Sequence, residues 1–173
     1  MKDSNAVVAI IMGSDSDLPN LKGAFSILKD LSIPYTARVI SAHRTPAVAL
    51  EFAQNAEKNG LKILICAAGM AAHLAGVMAS HTTLPVIGIP MPCEPFNAID
   101  SLLATVQMPP GIPVATVTAG KAGAKNAALY AAQILSLNDK NLHAKLKQFR
   151  KEQTEKVIKA DSTLNKKIDE LNV

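Results

Sequence analysis

Ala6-Val7-Val8-Ala9-Ile10-Ile11-Met12, followed at once by Gly13-Ser14-Asp15-Ser16-Asp17, is the stretch that decides the fold. The first seven residues are a continuous, largely β-branched apolar run, the mark of a strand buried on both faces, as in a parallel sheet. A helical pattern follows the polar turn, with Leu18, Leu21, Phe25 and Leu28 on one stripe. Ser16 or Asp17 can cap that helix, and Pro19 fits its first turn.

The alternation continues outward. Tyr35 to Ile40 reads as a second strand and Pro46 to Asn59 as a second helix ended by Gly60; Leu61 to Ala67 is a third strand, with a small-residue helix running to about Ser80. Val86 to Ile89, then a helix over Ala98 to Val106, Pro113 to Val117, and an Ala-rich helix from Gly120 to Leu135 complete the pattern. A last long helix is expected over roughly 141–171, with Leu142, Leu146, Phe149 and Val157 on a sparse stripe. Strands alternating with helices imply right-handed crossovers and a parallel sheet covered on both faces. The expectation is a three-layer αβα sandwich, flavodoxin-like, with 1–173 as a single domain.

Composition fits. Of the 173 residues 49% are hydrophobic and 18% charged, and aromatics are only 3%, so the core must be aliphatic. A chain of this length buries roughly 70% of its unfolded surface. Met1 to Asn5 carries no apolar signal core, and no apolar run reaches the roughly 18 residues of a membrane span; a soluble cytoplasmic protein is expected. The +4 net charge lies mostly after residue 138, interspersed with acids and without stacking aromatics, which argues against nucleic acid. Cys66 falls in an apolar run and reads as a small hydrophobe; Cys93 lies in a Pro-rich loop with no partner at ligand spacing.

Three turns carry candidate chemistry. Ser41-Ala42-His43-Arg44-Thr45-Pro46 places a hydroxyl, an imidazole and a guanidinium between a strand and a helix, with Thr45 a plausible N-cap and Pro46 a good first residue. In open α/β sheets that edge is where ligands bind. Gly13 to Asp17 offers backbone N–H groups beside a helix start, a phosphate cradle, while Asp17 could accept from ribose hydroxyls; the same residues also serve as simple caps. No P-loop lysine or G-x-G-x-x-G occurs. His73 lies in a Gly/Ala-rich turn that could admit a ligand or simply allow tight packing. Histidine spacing argues against a metal. One His, one Arg, several Ser and one Asp at a single sheet edge suit a phosphorylated sugar or nucleotide and proton transfer.

At these residues the chain resembles the class I PurE family, N5-carboxyaminoimidazole ribonucleotide mutase of bacterial purine synthesis. The matching pieces are Met-Gly-Ser-Asp-Ser-Asp at 12–17, Ser-Ala-His-Arg-Thr-Pro at 41–46 and Ala-Gly-Met-Ala-Ala-His-Leu at 68–74. Asp-Ser-Leu at 100–102, Gln-Met-Pro-Pro-Gly-Ile-Pro-Val at 107–114 and Gly-Lys-Ala-Gly-Ala-Lys-Asn-Ala-Ala-Leu at 120–129 extend the match. Ala75, where the family usually has Pro, and the segment Pro90 to Asn97 depart from it.

The resemblance implies transfer of a carboxylate from an exocyclic nitrogen to a ring carbon by decarboxylation and recarboxylation. It implies His43 as the general acid/base, Ser14, Ser16 and Arg44 at the phosphate, and Asp17 at the ribose. Ser41 and the Ala68-Gly69 backbone line the migrating carboxylate, Leu74 is a further substrate-binding residue, and His73 closes the site. No metal or organic cofactor is implied; an octamer is, with the C-terminal helix packing on neighbouring subunits. The alternatives are direct carboxylation of aminoimidazole ribonucleotide by carbon dioxide, the sister-class reaction whose members carry Lys at the place of Arg44, and a non-catalytic nucleotide-binding module.

Overall fold

The computed structural model describes residues 5–170. Five parallel strands alternate with helices along the chain: β1 (Val8–Met12), α1 (Leu18–Asp30), β2 (Tyr35–Val39), α2 (Pro46–Asn55), β3 (Ile63–Gly69), α3 (Leu74–Ala79), β4 (Val86–Met91), α4 (Ile99–Val106), β5 (Ala115–Thr116), α5 (Gly120–Ser136), α6 (Lys140–Ser162) and α7 (Leu164–Glu170). The strand order is β2-β1-β3-β4-β5, and every pairing is parallel. The expected flavodoxin-like αβα architecture is present.

All five β1 residues are buried, as the unbroken apolar run demands. Ala9 and Ile11 of β1 share one face with Leu64 and Cys66 of β3, packed against Ala49 and Ala53 of α2 and Leu74, Ala75 and Met78 of α3. Alternation along the strands sends Val8, Ile10 and Met12 to the opposite face. On that face α1 buries Leu21, Ala24 and Leu28, and a Cβ at Gly123 of α5 would lie 3.1 Å from Ile89 of β4. Burying each β1 isoleucine is worth about 1.5–3 kcal/mol. Burial pushes the Cys66 thiol pKa up, so it behaves as the small hydrophobe expected.

Topology positions the site. From β1 the chain crosses outward to β2, then back over β1 to β3 and onward to β4 and β5. The direction of travel therefore reverses between β1 and β3, which opens a crevice at their carboxyl ends, the usual ligand position in this fold class.

Chain packing divides into two compact units, one up to Ala132 and one from Gln133. The second holds the end of α5, then α6 and α7. The last helix was expected to be continuous; instead it is broken at Thr163, whose hydroxyl donates to the Lys159 and Ala160 carbonyls. Leu171, the end of that expectation, lies outside the described residues. The second helix also stops early, at Asn55, whose side-chain amide donates to the Glu51 carbonyl at 2.8 Å; turns then lead to Gly60, which takes φ +88°.

Candidate active site

A cavity of about 660 Å³ occupies the crevice. Its walls come from the loops after β1, β2 and β3, with one contribution from beyond β4. Ser14, Ser16, Asp17, Ser41, His43, Arg44, Ala68, Gly69 and Leu74 all line it. His73 joins them through His43: His73 Nδ1 lies 2.9 Å from His43 Nε2, with the rings nearly perpendicular at 85°. That contact needs one N–H and one lone pair, so the tautomers of the two rings are complementary. A larger cavity, about 830 Å³, opens near Pro85 and Val86 at the start of β4 and contains none of the candidate catalytic or binding residues. Chemistry, not size, distinguishes the two.

The loop after β2 is held closed by its own polar groups. Thr45 Oγ1 accepts from the Ser41 backbone N–H at 3.1 Å and donates to the Ser41 carbonyl at 2.9 Å. This corrects the expected role of Thr45: it stands at the N-cap position, but its hydroxyl makes no cap bond to α2. Ser41 Oγ in turn accepts from the Arg44 backbone N–H at 3.1 Å and from Arg44 Nε at 3.4 Å. Arg44 Nη2 donates to the Gly13 carbonyl at 3.1 Å, tying the second loop to the first. Two of its five donors are thus engaged, which fixes the guanidinium plane and leaves the rest for an anion.

In the first loop Ser14 caps a single 3₁₀ turn, Asp15–Asp17, accepting from the Ser16 backbone N–H at 3.3 Å and the Ser16 hydroxyl at 2.9 Å. Neither residue offered as the α1 cap makes a side-chain cap bond to that helix: Asp17 stands at its N-cap without one, and the hydroxyl of Ser16 goes to Ser14. Asp15 is exposed and stays near Ser14 outside the cavity lining, while Asp17 lines the cavity. Desolvation raises the Asp17 pKa above its ordinary value, the Ser14 backbone hydrogen bond opposing it. A half-buried carboxylate of this kind gains from hydroxyl donors.

The AIR carboxylase family profile matches residues 7–156, most of the chain. The chain belongs to this family. A relative from Bacillus subtilis (strain 168), named N5-carboxyaminoimidazole ribonucleotide mutase, is 50% identical over 158 residues, covering 91% of this chain and 98% of the relative. A relative of the same name from Pyrococcus abyssi is 54% identical over 145 residues, 84% of this chain and 82% of its own. A crystal structure of Treponema denticola PurE superposes with a TM-score of 0.82 at 33% identity, covering 91% of this chain and 97% of that one. The resemblance read from the motifs holds.

Four cavity residues of this family member carry no site role in the sequence reading: Ala42, Met70 and Ala71, which lie inside the matching motifs, and Cys93, which does not. Cys93 lies in a Pro-rich loop without a partner at ligand spacing, yet it follows β4, the neighbour of β3, and so falls at the same sheet edge. Only the strand order reveals that. Ala75, the departure from the family's usual Pro, is buried in the first turn of α3. Among the described residues no three His, Cys, Asp or Glu side chains gather as a metal site would require, and no helix is long and apolar enough to cross a membrane.

Proposed function

We propose that this chain is an isomerase of purine biosynthesis, interconverting N5-carboxyaminoimidazole ribonucleotide and 4-carboxy-5-aminoimidazole ribonucleotide. The observation that carries the mechanism is the placement of His43 beside Arg44 and Asp17 in one cavity at the β1/β3 crevice. Arg44, Ser14 and Ser16 hold the phosphate, and Asp17 accepts from the ribose hydroxyls. Ser41 and the Ala68-Gly69 backbone line the carboxylate, Leu74 is a further substrate-binding residue, and His73 stands against His43.

The nitrogen-bound carboxylate departs as carbon dioxide while His43 protonates the nitrogen it leaves. The electron-rich ring carbon then attacks carbon dioxide, and His43 removes the proton from that carbon. Holding the gas beside the ring supplies the effective concentration that a dilute, weak electrophile lacks. An imidazole suits both transfers, which run near neutral pH. The protein works in the cytoplasm as a single-domain subunit of an octamer, its C-terminal helices packing on neighbouring subunits; the mass of the assembly in solution tests this.

His43→Asn is the decisive variant. It should stay folded and bind nucleotide while turnover falls by about 10²–10⁴, the usual worth of a general acid/base; near-normal turnover refutes the role. Direct carboxylation, the activity the AIR carboxylase family is named for, is distinguished by supplying aminoimidazole ribonucleotide and bicarbonate in place of the N-carboxylated substrate.

A further inference from the structure

A route through free carbon dioxide has a weak point: the gas must not leave before it is recaptured. Met70, on the β3–α3 loop, is a cavity residue that also meets solvent. Two independent features mark this residue. Its backbone takes φ +55°, the left-handed region that side-chain-bearing residues avoid. It lines the cavity, yet 61% of its surface is exposed.

Neither feature alone would say much, since single exposed apolar residues are common. Together they pose a question of cost. Glycine would adopt this backbone without strain, and methionine's own burial does not offset the penalty here. The loop is also tightly wound: the Met70 carbonyl accepts from the Ala72 N–H, and the Ala71 carbonyl from the His73 N–H, each at 2.8 Å. These successive three-residue turns hold Met70 at the cavity while bringing His73 to His43. Strain maintained by its surroundings at a ligand cavity points to use.

We propose that Met70 is the residue that retains carbon dioxide. On nucleotide binding its side chain lies over the cavity mouth, excluding water and blocking escape of the gas. An unbranched thioether chain is flexible enough to cover an irregular opening, and apolar enough to keep it dry. The inference rests on the mutase reading and adds to it a retention step. In the reverse direction His43 first protonates the carboxylated ring carbon; the carbon–carboxylate bond then breaks, and its electron pair returns to the ring, which keeps the new proton on that carbon. The carbon dioxide released is then attacked by the exocyclic nitrogen, which returns a proton to His43. Escape between these events leaves aminoimidazole ribonucleotide and free carbon dioxide.

The test starts from 4-carboxy-5-aminoimidazole ribonucleotide and reads how each turnover ends. N-carboxylated product, free aminoimidazole ribonucleotide and ¹³C-bicarbonate incorporation into both carboxylated nucleotides are measured for wild type, Met70→Ala and Met70→Gly. The partition is readable at any residual rate, so slower turnover does not obscure it. In both variants the share ending as free aminoimidazole ribonucleotide, and the label incorporated, should rise severalfold. Met70→Gly should also melt above wild type, because it loses the left-handed strain and therefore folds. Wild-type interconversion with an unchanged partition in both variants overturns the role of Met70 alone. Failure of the wild type to interconvert the two carboxylated nucleotides overturns the mutase reading beneath it.

Discussion

Gly69 ends β3 at the cavity wall, and the space beside it is measurable. A Cβ added there would lie 2.6 Å from Cys93 Sγ, 3.2 Å from the Met91 carbonyl oxygen and 3.6 Å from Met91 Cβ. Comfortable contacts between such atoms begin near about 3.5 Å. Met91 is the registered partner of Gly69 on β4, so its carbonyl cannot move without disturbing the sheet. The sulfur, on a loop, must give way. Gly69→Ala should therefore destabilise the protein by about 1–3 kcal/mol, the usual cost of overpacking, and lower kcat/KM because the displaced sulfur shares the cavity wall. Cys93→Ala removes only the sulfur. In Gly69→Ala/Cys93→Ala the worst contact is gone, leaving only the tight approach to the Met91 carbonyl. A double-mutant cycle in urea, at one fixed protein concentration, should show a favourable coupling of about 1–2 kcal/mol. If the two effects add to within about 0.5 kcal/mol, the sulfur does not set the space around Gly69 and the reasoning fails.

Two further outcomes follow from local conditions. Ala98 begins α4 with φ +77°, so Ala98→Gly should raise stability by about 1 kcal/mol, read as a higher melting temperature, with the helix otherwise unchanged. Asp17 is raised by desolvation, so its ionised form costs folding stability above its folded pKa, and that cost disappears as pH falls through the folded pKa and below the ordinary value of 3.8. Asp17→Asn should thus be the more stable protein at neutral pH, lose that advantage in acid, and bind nucleotide more weakly, as denaturation and titration across pH would show.

The β1 run and the polar turn after it were enough to read the sheet type and the place of the site, because an unbroken apolar strand admits few environments. Ser41, His43 and Arg44 were legible for the same reason: they directly follow a strand and precede a helix start. Cys93 was not, since its proximity depends on β4 lying beside β3, a long-range pairing that local pattern does not carry. Thr45 was misread because a hydroxyl before a proline-initiated helix has two partners available. Here it turns back to Ser41, closing the loop, rather than forward to the helix. Ser162-Thr163 did carry a signal for the helix break, since hydroxyls that bond preceding carbonyls compete with the helix itself. The sparse stripe of that helix masked it.

The histidine pair constrains how a proton can reach the substrate. His43 Nε2 is held by His73 Nδ1 at 2.9 Å, so a proton moved through Nε2 requires that contact to open when nucleotide binds. A proton moved through His43 Nδ1 leaves the contact intact. In that case, for His43 to act as an acid at Nδ1 while neutral, its Nε2 must accept, and His73 must donate from its own Nδ1. The base step reverses the requirement: once Nδ1 has given its proton to the substrate, a neutral ring must carry its proton at Nε2. Either His73 passes the proton across, or the pair parts. A third arrangement needs neither: an imidazolium His43 would donate from Nε2 to His73 Nδ1 throughout while its own Nδ1 gives and retakes the proton. The tightly wound β3–α3 loop that carries His73 keeps the two rings within reach in each case.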